Sequence, residues 1–143
     1  MNRITKTSSQ PSIFLIRLMV GAVFLSEGIQ KFLFPEMRGS GRFEKVGLPS
    51  PEFLGDFVGF FEIICGFLIL IGLFTRLAAI PTLVIMLVAI TTTKNEILTN
   101  KGFWAMMHAS RTDWSMLLGS IFLILKGSGK CSLDLKLFNK NLG

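Results

Sequence analysis

Four charged residues lie inside apolar stretches long enough to cross a lipid bilayer. The stretches run from residue 13 to 34, from 53 to 74 and from 77 to 93. A helix needs about 20 mostly apolar residues to span the hydrocarbon core. Arg17, Glu27 and Lys31 fall in the first stretch and Glu62 in the second. A charge at that depth is costly, so it faces a bundle interior, a cavity or a partner charge. The pattern therefore predicts a small integral membrane protein with a polar interior.

Composition narrows the reading. The chain has 143 residues, half of them hydrophobic and only 17% charged, with mean hydropathy +0.59. A soluble domain of this length carries more charge. The length allows one compact unit and no separate extramembrane domain. The formal net charge is +6. The four embedded charges cancel, so the surplus lies in tails and loops, where it suits anionic lipid headgroups. The basic residues are scattered and not interleaved with aromatics, which argues against nucleic-acid binding.

Along the chain, residues 1–12 form a polar tail ending in Ser12, a candidate helix N-cap. The first span ends at Pro35. Arg17, Gly21, Phe24, Gly28 and Lys31 share one helical face, and Glu27 sits one turn from Lys31 at its edge. Gly21 and Gly28 allow a neighbouring helix to approach closely. Residues 35–52 read as a long polar connection, of the kind that is often functional or a lid. Thr75 and Arg76 leave room only for a tight hairpin between the second and third spans. Pro81 lies within the third span, where a membrane helix tolerates it. Residues 94–101 read as a polar loop, with Trp104 at the interface.

Residues 114–125 form a shorter apolar run, read as a fourth span with Arg111 and Asp113 capping its start and Lys126 its end. Residues 127–143 read as a basic tail lying on the membrane surface, with Gly127-Ser128-Gly129 as a helix stop and turn. Ser132 and Asp134 are expected to cap that tail. The expected fold class is all-α, a four-helix membrane bundle spanning 13–126. Both termini are then on one side. Seven Lys and Arg residues fall on that face and six on the other, which places the termini in the cytoplasm.

In order along the chain, several short pieces match a known pattern. They are Ile16-Arg17-Leu18-Met19-Val20-Gly21 and Glu27-Gly28-Ile29-Gln30-Lys31-Phe32. They continue with Glu62-Ile63-Ile64-Cys65-Gly66-Phe67, Thr75-Arg76-Leu77-Ala78-Ala79 and Gly127-Ser128-Gly129-Lys130-Cys131-Ser132-Leu133-Asp134. Together they resemble the DoxX family of small bacterial and archaeal membrane proteins, from about residue 13 to 134. The resemblance implies a four-helix bundle in the bacterial cytoplasmic membrane. It also implies links to membrane redox complexes, thiol and oxidative stress, and quinone, one member being a subunit of a thiosulfate:quinone oxidoreductase. Glu27 stands where many members carry His.

The candidate ligand-binding or proton-handling residues are Arg17, Glu27, Lys31 and Glu62. They either carry protons and bind a polar headgroup such as a quinone carbonyl, or pair to fix helix register. His108, Arg111 and Asp113 form a secondary polar cluster, read as an interfacial loop with a helix cap. One histidine and scattered carboxylates argue against a metal site. Cys65 reads as a packing residue, and its distance in sequence and depth from Cys131 argues against a disulfide.

The leading reading is an accessory or quinone-associated subunit of a membrane oxidoreductase, with quinone as its cofactor and a membrane or soluble redox protein as its partner. The alternatives are a small solute or proton transporter or channel, or a non-catalytic membrane scaffold, with a homo-oligomer as a further partner reading. No inverted repeat is evident, because the two halves share no clear charge pattern.

Overall fold

Ser12 ends the polar segment, and α1 (Ile13–Leu33) follows it. Ser12 supplies its backbone carbonyl to Leu15 but no side-chain cap. The computed structural model describes residues 10–138. Pro35 stops α1 and opens α2 (Pro35–Arg38), which Gly39 separates from α3 (Ser40–Val46). The long connection is therefore two short helices. Pro51 begins α4 (Pro51–Ile71). Gly72 and Phe74, both at positive φ, turn the chain into α5 (Thr75–Ala89).

The third span does not end in a loop at Lys94. A π turn (Ile90–Lys94) continues α5 directly into α6 (Asn95–Lys101). Three threonines stay in the helix because their hydroxyls are satisfied internally. Thr91 Oγ1 donates to the Leu87 carbonyl at 2.9 Å and Thr92 Oγ1 to Val88 at 2.7 Å. Gly102 separates α6 from α7 (Phe103–Ala109), and α8 (Arg111–Lys126) returns across the bundle. A last short helix, α9, covers Leu133–Phe138.

The four long helices form a ring. α1 packs on α4, α4 on α5, α5 on α8, and α8 back on α1. Among the described residues there is no strand. Three helices, Ile13–Leu33, Pro51–Ile71 and the continuous Thr75–Lys101, are long and apolar enough to cross a membrane. α8 completes the ring with 16 residues, about 24 Å of helix. The protein is an all-α membrane protein, and its apolar outer face contacts the bilayer. Phe53, Phe57, Phe60 and Phe67 are all exposed along one side of α4. Phe carries no polar group that lipid would leave unsatisfied.

Glycine sets the closest approach in the ring. A Cβ on Gly28 would lie 2.8 Å from the Gly59 carbonyl oxygen, and one on Gly66 would lie 2.6 Å from the Leu25 nitrogen. Bare backbone is what lets α1 and α4 meet, as the small-residue interfaces of membrane helices do. The core inside the ring includes Val20, Phe24, Cys65, Ile69, Ala79, Met116 and Leu123. At mid-depth, Thr82 and Ser120 join α5 to α8 through a buried 3.0 Å hydroxyl pair.

Candidate functional site

Where α1 nears its end, Lys31 reaches across to α4 and pairs with Glu62 at 2.7 Å. The side chains are 10% and 3% exposed, so water screens this pair little. The helix register explains the contact. Gly28 and Gly59 bring the backbones together one turn away, and Lys31 and Glu62 lie on the same two faces. Glu27 on α1 and Arg42 on α3 are both within electrostatic range of Glu62. Two cations and two carboxylates thus gather on three elements, with formal charges that cancel. Such a cluster can hold or pass a proton between a lysine and a carboxylate, and can offer an ammonium donor to a polar headgroup.

The α2–α3 connection packs directly over this cluster. A Cβ on Gly39 would lie 2.7 Å from the Lys31 carbonyl oxygen, and one on Gly55 would lie 2.8 Å from the Ser40 nitrogen. Gly39 and Ser40 are thereby seated between the end of α1 and the start of α4. An open cleft of about 580 Å³, lined among others by Glu36, Glu44 and Glu52, lies on this side of the molecule.

Arg17 does not share the site. It is 14 residues before Lys31, about 21 Å away along α1. Its guanidinium is 1% exposed and every direction is used. Nε donates to the Ile69 carbonyl at 2.9 Å and Nη2 to Leu70 at 2.7 Å. Nη1 faces the carbonyls of Ser128, Cys131 and Lys130 at 2.9, 3.2 and 3.4 Å. The first two acceptors are C-terminal carbonyls of α4, where the helix dipole favours a cation. The planar five-donor fork of arginine suits this arrangement. Arg17 ties the end of α4 to the chain beyond α8.

That C-terminal stretch departs from the expected surface tail. Ser128, Ser132 and Asp134 are all buried. Ser132 caps α9 as anticipated, its hydroxyl accepting from Leu135 N at 3.2 Å. Asp134 caps a different helix. Its carboxylate accepts from the Phe74 and Thr75 amides at 2.7 and 3.1 Å, at the start of α5. Its own amide donates to the Gly72 carbonyl at 2.9 Å.

The secondary cluster is rearranged. Asp113 does not cap α8 with its side chain. It pairs instead with Lys94 at 3.1 Å, and Lys94 also donates to the Ala109 carbonyl at 3.1 Å. Lys94 is buried, at 8% exposure. His108 and Arg111 are exposed, and Arg111 donates to the His108 backbone carbonyl at 2.7 Å. Sequence reasoning missed Lys94 because three threonines before it read as a loop. The available signal was the absence of Gly or Pro between residues 82 and 101. Among the described residues, no group of three or more His, Cys, Asp or Glu side chains is arranged to hold a metal. Cys65 is buried, Cys131 is exposed, and both are free thiols.

The chain resembles known proteins over most of its length. It is 51% identical to the uncharacterized membrane protein Rv3486 of Mycobacterium tuberculosis, covering 94% of this chain and 86% of that one. It is 32% identical to the protein named "Putative oxidoreductase CatD" of Bacillus subtilis, covering 84% of this chain and 82% of that one. No solved structure matches it. The DoxX family pattern matches residues 12–95, more than half of the chain and the part that contains Arg17, Glu27, Lys31, Glu62 and Lys94. With its family match, its helical ring and its membrane-protein relative in agreement, the chain belongs to the DoxX family.

Proposed function

We propose that this protein is a quinone-associated accessory subunit of a membrane oxidoreductase system. Its place is the bacterial cytoplasmic membrane, with both termini in the cytoplasm. The observation that carries this reading is the buried Lys31–Glu62 pair between α1 and α4, 2.7 Å apart, with Glu27 and Arg42 in electrostatic range. A purely stabilising contact does not need charge there, because apolar residues of similar volume hold a buried interface as well or better. Intramembrane ionisable groups mark ligand and proton routes. The relative named as an oxidoreductase supports a redox setting.

The donor set suits a quinone headgroup. A quinone, when bound, supplies a lipid-soluble carrier of electrons and protons. Lys31 offers an ammonium hydrogen to a carbonyl oxygen, and the Glu62 carboxylate balances its charge and can take up that proton. Arg42, on the short helix above, adds positive charge on the same side. Glu27 keeps the cluster neutral, so the site does not depend on a bound anion.

The test is Glu62→Gln in the complex assembled in its own membrane. The substitution keeps the shape and removes the proton-holding carboxylate. Quinone-dependent activity of the complex is expected to be lost while the subunit still assembles. Unchanged activity refutes the reading. Native mass spectrometry of gently extracted protein provides a second check, with a bound quinone or a redox partner as the expected result.

A further inference from the structure

The ring of helices has an internal symmetry that the charge pattern of the sequence conceals. α1 and α5 run in one direction, α4 and α8 in the other. In the ring order α1, α4, α5, α8, a step of two places takes α1 to α5 and α4 to α8. The connections correspond in part. Between α1 and α4 stand two short helices separated by Gly39, whereas between α5 and α8 the first short helix, α6, continues α5 through the π turn and Gly102 separates it from α7. Each half is therefore a helix, a two-helix cover and a returning helix. This is the parallel kind of repeat.

Each half also holds a lysine–carboxylate pair, deeply buried in the first half and partly exposed at its carboxylate in the second. The lysine comes from the end of the first helix and the carboxylate from the returning helix. Lys31 pairs with Glu62 in one half and Lys94 with Asp113 in the other. The covers touch both pairs. Arg42 acts on Glu62 from α3, and the Ala109 carbonyl at the end of α7 accepts from Lys94. The halves do share a charge pattern, but it emerges only when the π turn is in place. A π turn inserts one residue into the helix, which turns the following side chains by about 100°. That rotation is what aims Lys94 at α8.

We propose that Lys94 and Asp113 form a second proton-exchanging site, equivalent to Lys31 and Glu62, in a chain built from two copies of one helix–cover–helix unit. The inference rests on the proton-handling reading of the first pair. In each pair one proton either stays on the lysine, giving ammonium and carboxylate, or crosses to the carboxylate, giving amine and carboxylic acid. No other reactant is needed. The charged groups around Glu62 are Lys31, Glu27 and Arg42. The charged group paired with Asp113 is Lys94; Arg111 on the same helix donates to the His108 backbone carbonyl. Asp113 is 20% exposed against 3% for Glu62, so the second site is the more open.

A lipid-soluble carbodiimide tests this directly. The reagent reacts with a carboxyl group only while that group carries a proton, so a fixed ion pair resists it. The full-length protein in native membranes is treated with dicyclohexylcarbodiimide, and the modified peptides are read by mass spectrometry. Modification at both Glu62 and Asp113 is expected, and Glu62→Gln should leave the Asp113 adduct in place. Lys94→Gln, which removes the counter-charge, should speed modification of Asp113 by roughly tenfold or more while leaving Glu62 unchanged. Modification of Glu62 alone overturns the second site and leaves Lys94–Asp113 a structural tie. Modification of Asp113 alone removes the first site instead and, with it, the equivalence. Modification of neither refutes both readings.

Discussion

The two ends of the bundle bury charge in opposite ways. At the end where α1 begins and α8 stops, Arg17 donates to five neutral carbonyls and Asp134, within electrostatic range of it, accepts from backbone amides. At the other end, lysines meet carboxylates side chain to side chain. Backbone acceptors have fixed positions and cannot take up or release a proton near neutral pH. They make a joint. Side-chain partners can exchange a proton between them and can move apart. The same cost of burying charge thus produces a seal at one end and, in the function proposed above, a site at the other.

The seal can be broken most directly by Arg17→Ala. Five carbonyls lose their donor inside a low-dielectric setting, and the C-terminal segment loses its tie to α4. The cost expected is about 3–5 kcal/mol, as for breaking a buried charged contact. Thermal unfolding in detergent, or the yield of monodisperse protein, measures it. Arg17→Lys should recover only part of the loss, because one ammonium cannot serve acceptors on both sides. Retention of full stability in Arg17→Ala would show that the seal is not a joint.

Asp134→Ala should cost less, about 1–2 kcal/mol, the range for a lost helix N-cap. Amide exchange should then rise at Phe74 and Thr75 and stay unchanged around Lys94. At the other end, the double replacement Lys31→Met with Glu62→Leu sharpens the contrast. Stability should hold or improve, because apolar side chains replace a buried pair without loss. Quinone-dependent activity of the assembled complex should disappear. Loss of stability together with activity would make this end a joint too. Thr82→Ala lies between the ends and should have the smallest effect, about 0.6 kcal/mol, as for interhelical hydrogen bonds in membranes. Thermal unfolding resolves it from the larger changes.

Local pattern explains what was legible before the structure. Apolar runs located the spans, and the spacing of Gly21 and Gly28 marked a face for close helix approach, which the structure gives to α4. The same face carried Lys31 with Glu27 at its edge, but that Glu62 is the partner of Lys31 came only from the structure. The tight turn at Gly72 followed from the few residues between two apolar runs. Long-range contacts were not legible. Arg17 looked like its embedded neighbours, because helical periodicity says that a residue faces inward and not what it meets there. Its acceptor at Ser128 lies 111 residues away. Lys94 was hidden for a different reason. Thr91, Thr92 and Thr93 read as a break, whereas their hydroxyls bond back to the helix and the π turn changes the register. The short helices at 35–46 were concealed by glycines and prolines that mark their ends.

Arg17 also sets an order of assembly. It belongs to the first span to be made, and three of its five acceptors belong to residues 128–131, among the last. Until that stretch is made, Arg17 has only the α4 carbonyls of Ile69 and Leu70 to donate to. The C-terminal stretch supplies the other three acceptors and is thereby tied to the α1–α4 pair. Any chain that stops before residue 128 keeps two of the five acceptors of Arg17 and lacks the other three.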